Sequence, residues 1–130
     1  MIYLLDVNAL VALGFMQHEF HLRVAAWVRG KHNLRLATCS ITELGFVRVL
    51  TQAPAYGLTV QQARGLLVRL RLAESPRFTF IPDDHDISQL PLWVRSAKQI
   101  TDGHLAQLAT GNGAVLATLD SKIPGSFLIP

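Results

Sequence analysis

The stretch MIYLLDVNALVALG, residues 1–14, sets the pattern for the whole chain. Four apolar residues, IYLL (2–5), run straight into a carboxylate, Asp6, and then into a short helical segment at about 8–14. The run is continuously apolar rather than alternating, as expected of a strand covered on both faces in a parallel sheet. The same form recurs at LRLA (34–37), FTFI (78–81) and AVLATL (114–119), with FLI (127–129) a candidate fifth strand. Between them lie helix-period stretches at about 18–29, 40–53, 59–73, 86–98 and 102–111. Thr59 and Gln62 fit a capping box, and Val60, Ala63, Leu67 and Leu70 then share one helical face. Pro91 falls in the early turns of the 86–98 segment, so that helix begins later or is kinked. Glycines 14, 30, 57, 111 and 113 mark helix ends and turns. The order β-αα-β-αα-β-αα-β-β predicts an α/β fold with an open, mainly parallel sheet of four to five strands, in a single domain over 1–130.

Half of the 130 residues are hydrophobic and 16% are charged, which excludes intrinsic disorder. The lone cysteine, Cys39, excludes an intramolecular disulfide and a Cys-rich zinc site, and fits a reducing compartment. It precedes the 40–53 helix and reads as buried; no histidine is placed to make it a nucleophile. No apolar run approaches the roughly 18 residues of a membrane span. The opening residues carry no basic region, and Asp6 interrupts their apolar run, which argues against a signal peptide. The expectation is a soluble, cytoplasmic domain without membrane association. Twelve Lys and Arg against nine Asp and Glu give a net charge of +3. Nine of the twelve cations are Arg, the side chain suited to bidentate phosphate contacts.

Four acids stand apart from the rest. Asp6 and Asp120 directly follow the first and fourth strands, at the carboxyl ends where open parallel sheets bind ligands. Glu43 lies in the first turn of SITELGFVRVLTQ (40–52), a helix apolar nearly all round. Asp102 opens TDGHLAQLA (101–109) on the face of Leu105, Ala106 and Ala109, and so points inward. Each has an ordinary structural explanation when taken alone. Ser40 and Glu43 spell a capping box, Asp102 complements a helix dipole, and Asp6 and Asp120 suit turns. Jointly, four inward carboxylates on otherwise apolar elements cannot all stay ionised without a cation. Oxygen ligands without matched His or Cys point to Mg2+, with Mn2+ as a substitute. With those four set aside, five acids face twelve cations. A basic surface around a metal-loaded acidic hole suits a phosphodiester substrate.

The segments LLDVNAL (4–10), ITELGFVRVLT (41–51), QITDGHLAQLA (99–109) and ATLDSKI (117–123), with FIPDD (80–84), resemble PIN-domain ribonucleases, specifically VapC-type toxins of type II toxin–antitoxin systems. No one segment is specific; all four stand in register from end to end of the chain. The resemblance implies a three-layer α/β/α PIN fold and metal-dependent endonucleolytic cleavage of RNA that leaves a 5′-phosphate and a 3′-hydroxyl. It implies that Asp6, Glu43, Asp102 and Asp120 are both the catalytic and the metal-binding residues. It further implies a cognate antitoxin partner and a homodimer. Asn8 and Thr118 match polar positions flanking the acids, although a helix cap and a β-forming Thr explain them equally well.

Further substrate contacts are drawn from nearby residues. Lys122 follows Asp120, and Arg48 belongs to the apolar 40–53 helix, where it pairs with an acid or reaches the substrate groove. His104 reads as a solvent-facing helix residue or a substrate contact. Asp83, Asp84 and Asp86 read as a solvated loop capping the next helix, and Arg64 and Arg71 share a face that is either solvated or holds phosphates. Phe15, Trp27 and Trp93 are core candidates, although an antitoxin helix needs some such apolar surface. Three other functions compete. A PIN-like domain that binds metal and RNA without cleaving carries the same residues. A phosphotransfer hydrolase of haloacid-dehalogenase type needs a second Asp where Asn8 stands. A receiver-type regulator needs an acid pair near the first strand, where Asp6 is alone.

Overall fold

The computed structural model describes residues 1–130. The elements in chain order are β1 (Ile2–Leu5), α1 (Val7–Gly14), α2 (His21–Arg29), β2 (Arg35–Thr38), α3 (Ser40–Gln52), α4 (Val60–Leu72), β3 (Arg77–Phe80), α5 (Ile100–Gly111), β4 (Ala114–Thr118) and β5 (Phe127–Leu128). All five strands are parallel, in the order β3-β2-β1-β4-β5. The sheet therefore has a single carboxyl-terminal edge, and β1 sits at its centre between β2 and β4.

Successive strand residues point to opposite faces, and the core divides accordingly. Leu5, Leu36 and Ala117 join Leu10, Val24, Phe46, Leu50 and Leu67 under α1 to α4. Their neighbours Leu4, Ala37 and Leu116 join Leu105 and Leu108 under α5. Both faces of the central strands β1, β2 and β4 are thus largely dry, as their apolar runs predict, whereas the outer strand β3 is mostly exposed against expectation, because no strand pairs beyond it; the result is three layers, α/β/α. Phe15 and Trp27 are buried on the first side, and Trp93 packs against the second cluster.

The 59–73 helix forms with its capping box, Thr59 and Gln62 bonding reciprocally. Two expectations fail. The 86–98 helix does not form: two single 3-10 turns, Ile87–Gln89 and Ala97–Gln99, flank an irregular stretch. Proline disfavours helical backbone in the residue before it; Leu90, before Pro91, is extended at φ −58° and ψ 134°. Leu92 is 95% exposed, so no apolar face remains to hold a helix down. The Ser40–Glu43 capping box is also absent. Cys39 is the N-cap of α3, and Thr42 supplies the reciprocal bond, its Oγ1 accepting from the Cys39 N–H at 3.0 Å. Glu43 is thereby free of a capping role.

Candidate active site

The carboxyl-terminal edge of the sheet gathers the acids. Asp6 leaves β1 with its N–H bonded to the Ala117 carbonyl at 3.1 Å, and its Oδ1 caps α1 by accepting from the Ala9 N–H at 2.8 Å. It is only 6% exposed. Burial pushes its carboxyl above the usual carboxylate range; bonds from Thr118 and Ala9 pull it back, while Asp102 and Asp120 push it up again. Asp102, half-buried in the first turn of α5, is raised by burial and by Asp120. Asp120 follows β4 and closes a tight turn, accepting from the Lys122 N–H at 2.9 Å. Asp6 therefore feels the charge of Asp102 and Asp120, and Asp102 that of Asp120, although the three come from distant segments.

Thr118 organises this trio from beneath. It is fully buried, its Oγ1 accepts from the Asp120 N–H at 2.9 Å, and its hydroxyl lies close enough to Asp6 to favour that carboxyl's ionised form. With its hydroxyl holding the Asp120 backbone and no surface exposed, it positions the acids rather than touching substrate. Thr38 has the equivalent place at the end of β2, also fully buried, and donates to Glu43 Oε2 at 2.6 Å. Thr38 closes β2 as Thr118 closes β4, and that shared place at a strand's carboxyl end is the signal that could have found it.

Glu43 is set apart from the aspartates. Besides the Thr38 bond it meets Arg71 Nη1 of α4 at 3.1 Å, and it lines a groove of about 380 Å³ with Leu44, Val68 and Phe80. The aspartate cleft, about 440 Å³, is bordered by Asp6, Asn8 and Asp120 on one side and by His18, Glu19 and Phe20 on the other. The latter three went unrecognised because the segment was assigned to a helix that begins only at His21. No three His, Cys, Asp or Glu side chains are drawn together into a ready-made metal cage.

The remaining candidates fall out unevenly. Asn8 is exposed on the first turn of α1 and faces the aspartate cleft. Lys122 is exposed just beyond Asp120. Arg48 is exposed on α3, pairs with no acid and lines neither of these two clefts. His104 is not solvent-facing: its Nε2 meets Asp83 Oδ2 at 2.7 Å, tying the loop after β3 to α5 next to Asp102. Burial opposes ionisation of Asp83, but bonds from His104 and the His85 N–H outweigh it and hold the carboxyl below the usual range. Asp83 is thus a tether rather than a purely solvated loop acid.

The PIN domain family model matches residues 3–124. This chain belongs to the PIN domain family, among its VapC-type ribonucleases. Ribonuclease VapC38 of Mycobacterium tuberculosis is 40% identical over 92% of this chain and 86% of its own length. Ribonuclease VapC44 from the same species is 35% identical over 92% and 87%. Among solved structures, the fold is similar to M. tuberculosis VapC20, a sarcin–ricin loop cleaving toxin, with a TM-score of 0.60 at 11% identity over 93% of this chain and 92% of that one. It is also similar to VapBC2 from Rickettsia felis bound to a fragment of promoter DNA, with a TM-score of 0.56 at 17% identity over 98% and 97%. The PIN architecture accounts for an Asp after β1 without a second acid at Asn8, and leaves the haloacid-dehalogenase and receiver readings without support.

Proposed function

We propose that this VapC-type PIN domain is a Mg2+-dependent endoribonuclease and the toxin of a toxin–antitoxin pair. The observation that carries the reading is the gathering of Asp6, Asp102 and Asp120 at one sheet edge, where burial and the neighbouring aspartates disfavour ionisation of Asp6 and Asp102. Three hard oxygen donors in a partly dry setting, with no imidazole or thiolate among them, fit Mg2+ or Mn2+. A divalent ion bound there would supply Lewis acidity toward the scissile phosphate and a more acidic attacking water. The protein's own part is positional. Thr118 fixes the backbone of Asp120, and the Ala9 N–H orients one Asp6 oxygen. Asn8 borders the cleft, and Lys122 stands beside it as a cation for phosphate. Glu43 would join from the neighbouring groove once Arg71 lets go of it.

A second reading, RNA binding without cleavage, draws on the Glu43–Arg71 pair, which leaves one family acid engaged elsewhere. Expression of wild type and Asp6→Asn in a bacterial host, with sequencing of new RNA 5′ ends, separates the two. Growth arrest and discrete new ends with wild type alone support the nuclease; arrest by both proteins establishes binding without catalysis. Calorimetry should show Mn2+ binding that Asp6→Asn weakens, and unchanged binding would place the metal elsewhere.

An antitoxin partner is supported by the groove beside Glu43, where Leu44 is 62%, Val68 53% and Phe80 40% exposed. Apolar side chains at such exposure beside the acids suit the apolar face of a partner helix. We further propose a homodimer acting in the cytoplasm. No helix is long and apolar enough to cross a membrane.

A further inference from the structure

A larger cleft lies away from the aspartates. It holds about 740 Å³ beside the starts of β2 and β3, and Lys31, His32, Arg35 and Arg77 line it. Arg35 and Arg77 are register partners across the parallel β2–β3 pair, and both are exposed. Like charges placed directly opposite one another destabilise a sheet. Glu74 lines the same cleft, yet neither arginine has a carboxylate within ion-pair range. The fold thus keeps two facing, unneutralised guanidiniums at a place where many polar residues would serve its stability better.

The cleft does not end there. A second depression of about 510 Å³ shares Glu74 and Arg77 with the first and adds Arg71. Arg71 in turn lines the groove that holds Glu43 and Arg64, with its guanidinium 5.6 Å from the centre of the Phe80 ring. From Phe80 back to Arg77, β3 spans about 10 Å at about 3.3 Å per residue. The result is a row of cations beside the outer strand of the sheet. Arg64 and Arg71 stand at the acid edge, Arg77 and Arg35 come next, and Lys31 and His32 lie at the far end.

We propose that this row is a track for the sugar–phosphate backbone of the substrate RNA, holding a single-stranded segment that leads away from the acid edge along β3. The proposal rests on the nuclease reading above and adds the path of the strand. Guanidinium forks match phosphate oxygens, and a basic groove with an aromatic platform is how single strands are held without sequence preference. Phe80, exposed where the track meets the acid edge, offers that platform.

The test is fluorescence anisotropy with the full chain and a labelled mixed-sequence RNA oligonucleotide, in EDTA so that nothing is cut, over a range of salt. Arg35→Ser with Arg77→Ser should weaken binding at low salt and flatten the plot of log affinity against log salt by about 1.4, since each phosphate contact on a single strand contributes about 0.7. Each single variant should account for about half of that change, and Arg35→Lys with Arg77→Lys should keep the wild-type slope. An unchanged slope in a folded double serine variant overturns the track. So does a loss confined to binding of polyglutamate, which would make the row a protein-binding surface. Mn2+ calorimetry on the same samples keeps the two readings apart: absent Mn2+ binding in wild type removes the nuclease site, whereas intact Mn2+ binding with an unchanged slope removes the track alone.

Discussion

Glu43 of α3 and Arg71 of α4 meet at 3.1 Å, so the acid that family resemblance assigns to the metal site is held by a cation of the chain's own. The pair is partly exposed, with side-chain exposures of 38% for Arg71 and 22% for Glu43, and such pairs stabilise by at most about 1 kcal/mol. Glu43 caps nothing. Glu43→Gln should therefore lower the melting temperature by no more than a few degrees while abolishing RNA cleavage. Cleavage that merely follows the folded fraction in thermal melts would remove Glu43 from the site.

Thr118→Val is nearly isosteric but strips the hydroxyl that accepts from the Asp120 N–H and lies beside Asp6. Losing the bond to the Asp120 N–H should cost about 1 kcal/mol, and Mn2+ affinity should fall because the turn that carries Asp120 loses its anchor. Thr118→Ser should restore affinity. Calorimetry of the two variants side by side checks this; equal Mn2+ affinity in Thr118→Val and wild type would leave Thr118 as plain core.

The aspartates carry a stability cost of their own. Folding raises the Asp6 carboxyl above its ordinary value, so its contribution to stability is fully present below the unfolded carboxylate pKa and is lost as pH rises through the folded value. Asp6→Asn keeps an oxygen for the Ala9 N–H and carries no charge. Without metal, it should melt a few degrees above wild type at pH 7, with the gain shrinking as pH falls through the raised Asp6 value. Added Mn2+ should stabilise wild type and not the variant. A metal-free Asp6→Asn protein that melts lower at pH 7 would contradict the burial argument.

Gly103, next to Asp102, is buried under the irregular stretch after β3, and a Cβ there would collide with the Val94 side chain. Gly103→Ala should cost about 1–3 kcal/mol through overpacking and weaken Mn2+ binding by shifting the start of α5. Val94→Ala in the same chain should recover much of both losses, because neighbours that share a clash do not add. Melting curves of the two single variants and the double variant decide it; additive losses would refute the contact.

Much of the architecture was legible because short, unbroken apolar strands followed by acids leave little choice but a parallel sheet with a polar carboxyl edge. The three aspartates were legible from position alone, each at a strand end or in a first helical turn. Glu43 was located on the right helix, but its engagement with Arg71 depends on how α4 packs against α3, which no local pattern encodes. The 86–98 segment was expected to be a helix that starts late or kinks at Pro91; instead Pro91 holds Leu90 extended and Leu92 faces solvent, so no helix forms. His104 found Asp83 through a contact across 21 positions, beyond any local period.

The placement of β1 bears on when such a protein becomes dangerous to the cell that makes it. β1 is synthesised early and stands at the centre of the sheet, yet one of its two neighbours, β4, is made only after α5. Asp6 is made well before Asp102 and Asp120, and Thr118, which steadies the Asp120 turn, arrives with the later pair. Long-range parallel pairing of this kind forms late. A nascent chain thus carries its central strand and Asp6 long before the other two aspartates can join them, and the site is assembled only once β4 has paired.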